Sequence, residues 1–147
     1  ARALHSPGRR RISVSFVNRI RVRYAEIDGQ GVVFNAHWLT YCDDSCTRFM
    51  ESLGLGEDFW VQQWDVMLVK AVLEWQGPAR FDEWIEVAVA PTRLGTKSFD
   101  LRYTATVGER ECCVATITYC SVQPGTNTSI AITERVRSAL ESRLATQ

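Results

Sequence analysis

Histidine and lysine are both scarce in this chain, at two residues each: His5 and His37, Lys70 and Lys97. So few imidazoles leave little from which to assemble a histidine-rich metal site. Charge of one sign is also missing, because 17 basic residues balance 17 acidic ones. That excludes the broad positive surface on which nucleic-acid binding depends. The basic residues other than the two lysines are arginines, which reads as genome composition before it reads as function. No apolar run approaches the roughly 20 residues of a membrane-spanning helix, and no secretory signal is visible. The five cysteines, Cys42, Cys46, Cys112, Cys113 and Cys120, are odd in number and show no framework spacing. They point to reduced thiols in a cytosol-like compartment. Cys42 and Cys46 lie one helical turn apart and can share a face. A zinc site would need two more ligands, and His5 lies in the N-terminal tail, so neither a metal nor a cofactor is expected.

What is present fits one globular domain: 147 residues, 46% of them hydrophobic, enough for a real core. Residues 1–11, with Pro7, Gly8 and the run Arg9-Arg10-Arg11, read as a flexible tail ahead of a domain over 12–147. A remnant of an organelle-targeting peptide is the alternative for that tail. A first strand is expected over 14–27. Over 36–53, Trp38, Tyr41, Cys42, Ser45, Cys46, Phe49, Met50 and Leu53 recur at helical spacing. Asn35 suits the N-cap of that helix and Gly54 its C′ position. After an aromatic-rich loop or short helix over 54–65, strands are expected over 66–76, 84–92, 97–107 and 112–122, with a hairpin turn at Gly108-Glu109-Arg110. Residues 130–144 have helical character. Strands joined by short turns, with helices set apart from them, predict an α+β domain in which an antiparallel sheet curves around one amphipathic helix.

The segment from Arg21 to Asn35 carries the chemistry. A strand leads to a single acid, Asp28, then to a turn containing Gly29 and Gly31, then to the long helix. A carboxylate can activate water or attack a carbonyl carbon itself. Glycines let backbone and substrate approach closely. The start of a helix offers unpaired N–H groups and partial positive charge, which can hold the oxygen of a carbonyl under attack. An acid beside a helix start is therefore a minimal acyl-transfer site. A loop aspartate that merely caps a turn is the competing reading.

The run Tyr24-x-x-x-Asp28-x-x-Gly31-Val32-Val33-Phe34-Asn35-Ala36-His37-Trp38 closely resembles the opening motif of hotdog-fold thioesterases of the 4-hydroxybenzoyl-CoA thioesterase class. The likeness continues in Asp43, Glu74, Pro78, Asp82 and the turn Arg93-Leu94-Gly95-x-Lys97-Ser98, and spans most of the chain. The resemblance implies a hotdog fold, with one long central helix wrapped by an antiparallel five-stranded sheet. It also implies a homodimer or homotetramer with active sites at subunit interfaces, acting on acyl-CoA or acyl-carrier-protein thioesters, in the cytoplasm to which the reduced cysteines already point. Asp28 matches the catalytic aspartate, nucleophile or general base. The backbone N–H of Asn35 matches the donor that polarises the thioester carbonyl, and Gly31 matches the glycine of the close turn. Some relatives carry histidine where Asn35 stands. Here the histidine is His37, two residues later, so a catalytic histidine–aspartate pair does not carry over. Another group of hotdog thioesterases uses an acid on the helix, which keeps Asp44 in view.

Other residues have two readings each. Tyr24 orients Asp28, lines the acyl pocket, or simply packs in a strand. His37 is expected to be a surface or packing residue. Asp43 hydrogen-bonds near the site or complements the helix dipole. Glu26 would share a face with Asp28 if the strand persisted, although solvent exposure is the commoner fate of such a residue. Arg80, Arg93 and Arg102 meet coenzyme A phosphates or are plain surface charge. Phe59, Trp60 and Trp64 cap an acyl tunnel or, the preferred reading, pack over the helix end. The competing activities are acyl-thioester binding without turnover and dehydration of hydroxyacyl thioesters. Dehydration generally needs a histidine with an acid, and His37 is the sole histidine outside the tail.

Overall fold

The structure, a computed structural model, describes residues 16–56 and 63–144. The expected tail over 1–11 and the aromatics Phe59 and Trp60 lie outside the described residues. The elements in chain order are β1 (Phe16–Arg21), a single 3-10 turn (Tyr24–Glu26), α1 (His37–Ser52), β2 (Asp65–Trp75), β3 (Trp84–Leu94), β4 (Ser98–Val107), β5 (Arg110–Val122) and α2 (Glu134–Glu141). The five strands form one sheet in the order β1-β3-β4-β5-β2, and every neighbouring pair is antiparallel.

The sheet folds because its strands alternate. Ile85, Val87 and Val89 on β3, Phe99, Leu101, Tyr103 and Ala105 on β4, and Cys113, Ala115, Ile117 and Tyr119 on β5 are all buried. They form one apolar face of period two. Helix α1 lays Trp38, Tyr41, Cys42, Cys46, Phe49 and Met50 into that face. The helix stops at the expected glycine. Gly54 has φ +75, its N–H donates to the Glu51 carbonyl, and the N–H of Leu55 donates to the Met50 carbonyl. Those two bonds satisfy carbonyls that the helix end would otherwise leave open, and Leu55 buries beside them. Under α1 the Tyr103 and Tyr119 hydroxyls meet at 2.6 Å, so the polar tips of two buried rings satisfy each other.

Two expectations need correction, the extents of the first strand and of the last helix. The first strand does not run to residue 27; it stops at Arg21. The Glu26 carboxylate accepts the Arg23 backbone N–H at 2.8 Å, and the Glu26 N–H donates to the Arg23 carbonyl. That reciprocal pairing winds the chain into a turn. The last helix is shorter than 130–144. Ile130 and Ile132 donate their backbone N–H groups to Ser121 on β5 and to Thr96 in the turn between β3 and β4, so both are engaged before a helix can start. Val136 and Leu140 still bury as the spacing required, while Leu144 is exposed. Trp64 is fully buried, stacked on Phe99, and its indole N–H donates to Ser121 Oγ at 2.7 Å. It packs in the core, the preferred of its two readings.

Candidate active site

Residues 26–34 form a small antiparallel ladder with Asp28 near its tip. Ile27 bridges Val33, the Asp28 N–H donates to the Val32 carbonyl at 2.9 Å, and the Phe34 N–H donates to the Glu26 carbonyl at 3.0 Å. At the tip, Gly31 donates to the Asp28 carbonyl and has φ +75, a conformation that costs glycine little and other residues more. Asp28 Oδ1 accepts the Gln30 N–H at 2.8 Å, an Asx turn. Asp28 Oδ2 takes no hydrogen bond from the described residues, and the residue is half-buried. The ladder is tied to the connection between β2 and β3, where Val32 bridges Arg80 and the Val33 N–H donates to the Ala79 carbonyl at 2.8 Å.

Helix α1 begins directly after this ladder. Asn35 is not its N-cap: Ala36 holds that position, with no side-chain cap. The reason is the tight entry turn, in which the His37 N–H already bonds the Phe34 carbonyl. The Asn35 side chain is not needed, and its backbone N–H, like that of Ala36, donates to no acceptor among the described residues. An acid with one open oxygen and a helix start with unpaired donors thus lie at the two ends of one short ladder. Chemically, such a pair can deliver a nucleophile and receive an oxyanion.

The other candidates fall as follows. Tyr24 sits in the 3-10 turn and not in a strand; it is 75% exposed, and its ring meets Phe81 edge-on at 5.8 Å. Its hydroxyl makes no hydrogen bond to the Asp28 carboxylate, whose one bonded oxygen accepts the Gln30 N–H. His37 packs its ring edge-on against Phe34 at 5.9 Å, the packing role expected. Asp43 is exposed by area; protein atoms around its carboxyl nevertheless desolvate it enough to push it above the usual range. Asp44 accepts from Asn18 Nδ2 at 2.9 Å and faces Arg48 at 3.7 Å. Arg93 is locked on Asp100 through Nε and Nη2, both at 3.0 Å. Arg80 lies beside the ladder through its bridge to Val32.

Glu26 is the residue whose favoured reading, solvent exposure, fails. It is 6% exposed, because the chain turns at Arg23 and its carboxylate accepts from the Arg23 N–H and the buried Tyr41 hydroxyl. Its Oε1 accepts the Tyr41 hydroxyl at 3.1 Å as well as the Arg23 N–H. Burial alone pushes this carboxyl up, but donors from Arg23 and Tyr41 outweigh burial and hold it below the usual range. The spacing of Arg23 and Glu26, three residues apart ahead of a helical pattern, was the available signal. An open cavity of about 320 Å³ lies beside it, lined by Ile20, Arg23, Glu26, Thr40, Tyr41 and Asp44. A second cavity, under α1, measures about 10 Å³, room for one water at most.

The sheet around a helix and the acid loop at the helix start define an α+β hotdog domain. The comparisons say which one: the sequence profile of the thioesterase superfamily matches residues 30–114, and the chain belongs to that family. A protein of Aquifex aeolicus (strain VF5), provisionally named an esterase, is 26% identical over 119 residues, covering 78% of this chain and 91% of the relative. A 1,4-dihydroxy-2-naphthoyl-CoA thioesterase from Synechocystis superposes with a TM-score of 0.76 at 19% identity, covering 86% of this chain and 95% of that one. A gentisyl-coenzyme A thioesterase superposes with a TM-score of 0.77 at 20% identity, covering 86% and 99%. Family membership supports a thioester hydrolase. No helix among the described residues is long and apolar enough to cross a membrane.

Proposed function

We propose that this protein hydrolyses acyl thioesters of coenzyme A, or of an acyl carrier protein, to free acid and thiol. Asp28 serves as nucleophile or general base, and the backbone N–H of Asn35 receives the carbonyl oxygen. Gly31 permits the turn between them. The observation that carries this reading is the ladder itself, which ends on one side in a half-buried acid with an open oxygen and on the other in unpaired amides of a helix start. Tyr24, Phe34 and Phe81, exposed around the loop, form an apolar border for the acyl group. His37 is packed on Phe34, which disfavours the dehydratase alternative, and the open oxygen of Asp28 disfavours a purely binding role.

The chain works as a homodimer, or a homotetramer built from dimers. Strand β2 is an edge of the sheet and exposes Met67, Leu68, Val69, Val72 and Trp75. A long apolar edge of this kind is a template for pairing with a second chain. Buried unpaired thiols suit a reducing, cytoplasmic setting.

The test is a panel of acyl-CoA and acyl-carrier-protein thioesters, aliphatic and aromatic, with thiol release as readout. Aromatic acyl-CoAs belong in it because of the two named structural neighbours. Hydrolysis of at least one class is expected, and tight acyl-CoA binding with no thiol release on any substrate would overturn the proposal. A single turnover in ¹⁸O-labelled water separates the two roles of Asp28, since label in its carboxylate marks an acyl-enzyme anhydride.

A further inference from the structure

The tip of the Asp28 ladder is not held in place by packing. A Cβ built at Gly29 or at Gly31 would meet nothing within 4 Å, and Gly29 and Gln30 are exposed. The position of the acid is therefore set where the ladder is anchored. One anchor is the β2–β3 connection, through Val32 and Val33; the other, at the base of the ladder, is Glu26.

Glu26 is bonded in three directions. Its carboxylate holds the turn before the ladder, through the Arg23 N–H at 2.8 Å and Arg23 Nη2 at 3.1 Å. The same carboxylate holds α1, through the Tyr41 hydroxyl at 3.1 Å in a buried contact. Its backbone carbonyl holds the returning strand of the ladder, through the Phe34 N–H at 3.0 Å. Asp28 lies two residues beyond Glu26, and Asn35 lies one residue beyond Phe34. One residue thus links the segment bearing the acid, the segment bearing the amides, and the body of the helix. An acid and an oxyanion donor must keep their separation to a fraction of an ångström to act on the same carbonyl. A carboxylate is costly to bury unless its donors are in place, and that cost makes the anchor stiff.

We propose that Glu26, through its hydrogen bond from Tyr41, is a positioning residue that sets the Asp28 carboxylate against the amides at the start of α1. The inference rests on the thioesterase reading and assigns Glu26 no contact with substrate.

The experiment measures kcat and KM on the best wild-type thioester for Glu26→Ala, Glu26→Gln, Tyr41→Phe and the double variant Glu26→Ala/Tyr41→Phe. Thermal unfolding of each is followed alongside, and Asp28→Asn serves as control. Misplacement should lower kcat of the folded protein by about 10- to 100-fold in Glu26→Ala, with KM within about twofold of wild type. Glu26→Gln keeps an acceptor oxygen for Tyr41 and should recover most of the loss. The double variant should be little worse than the poorer single one, because both remove one shared contact. A residue that only stabilised the fold would lower the melting temperature and leave kcat of the folded protein unchanged; that result overturns the proposal. Loss of the acid limb of the pH profile in Glu26→Gln would make Glu26 itself the titrating base and would also overturn it. Where Glu26→Ala does not fold, Tyr41→Phe, which keeps the ring, decides alone. If Asp28→Asn hydrolyses the thioester like wild type, the thioesterase site itself is wrong. If Asp28→Asn is dead and Tyr41→Phe has full kcat, only the positioning role of Glu26 falls.

Discussion

Replacing Asp28 with asparagine tests the proposed chemistry with little disturbance of the fold. The structure says what survives. Asp28 Oδ1 accepts the Gln30 N–H at 2.8 Å, and the amide oxygen of Asn can accept the same bond, so the Asx turn persists. The ladder bonds at Asp28 and Gly31 are backbone bonds and do not depend on the side chain. Stability should change by less than about 1 kcal/mol, as is usual for a partly exposed site that keeps its hydrogen bond. What is lost is the second oxygen, which no described residue engages, together with the negative charge. A positioned base contributes about 10²- to 10⁴-fold to rate. That range corresponds to about 2.7–5.4 kcal/mol in the barrier, at about 1.36 kcal/mol per tenfold. The loss should appear in kcat with KM nearly unchanged, since the carboxylate acts on the reacting carbonyl and not on the carrier. Continuous thiol release gives kcat and KM, and thermal unfolding checks the fold. A folded Asp28→Asn protein that keeps more than about a tenth of wild-type kcat, well outside that range, would refute the reasoning.

Further outcomes follow from the same structure. Gly31→Ala meets no steric neighbour, so its cost is the positive φ alone, about 1–2 kcal/mol in chemical denaturation; a much larger loss would reveal a contact that a single chain does not show. Burial pushes the thiol of Cys113 up to about 11 and those of Cys42 and Cys46 above their ordinary value, so all three should resist alkylation at pH 8 until the protein is unfolded, by mass spectrometry of labelled peptides. Glu26 and Asp100 have folded pKa values held below their unfolded ones despite burial, by Arg23 and Tyr41 in one case and by Arg93 and Thr118 in the other. The stability they contribute is therefore complete above about pH 4–5 and is lost as pH falls through the lower folded values. Asp43, raised by burial, opposes this weakly. Denaturation midpoints from pH 7 to 3 should fall, and less steeply for Glu26→Gln.

Much of the fold was legible because burial imposes periodicity. The alternation of Phe99, Leu101, Tyr103 and Ala105, and the helical spacing from Trp38 to Met50, are statements about one wet face and one dry face, which a sequence can carry. Asp28 and Gly31 were legible for a different reason: a turn with positive φ beside an acid is a local feature. Glu26 and Asn35 were misread because each depends on partners distant in the chain or on a competing turn. Nothing in strand alternation announces that Glu26 will accept from Tyr41 fifteen residues away. Nor does a good capping residue announce that the His37 N–H is already taken by Phe34. The last helix was overextended for the same reason, since Ile130 and Ile132 are claimed by Ser121 and Thr96.

The sequence by itself determined the α+β class, the long helix with its glycine stop, and the acid-glycine turn at Asp28 and Gly31, because these follow from side-chain period and local backbone preference. Tertiary structure decided where the first strand ends, which amides at the helix start stay open, and that a buried Glu26 anchors the ladder. Those outcomes turn on competition for hydrogen-bond partners, and a donor's choice among acceptors is settled only when the chain has folded and distant groups stand within 3 Å of one another.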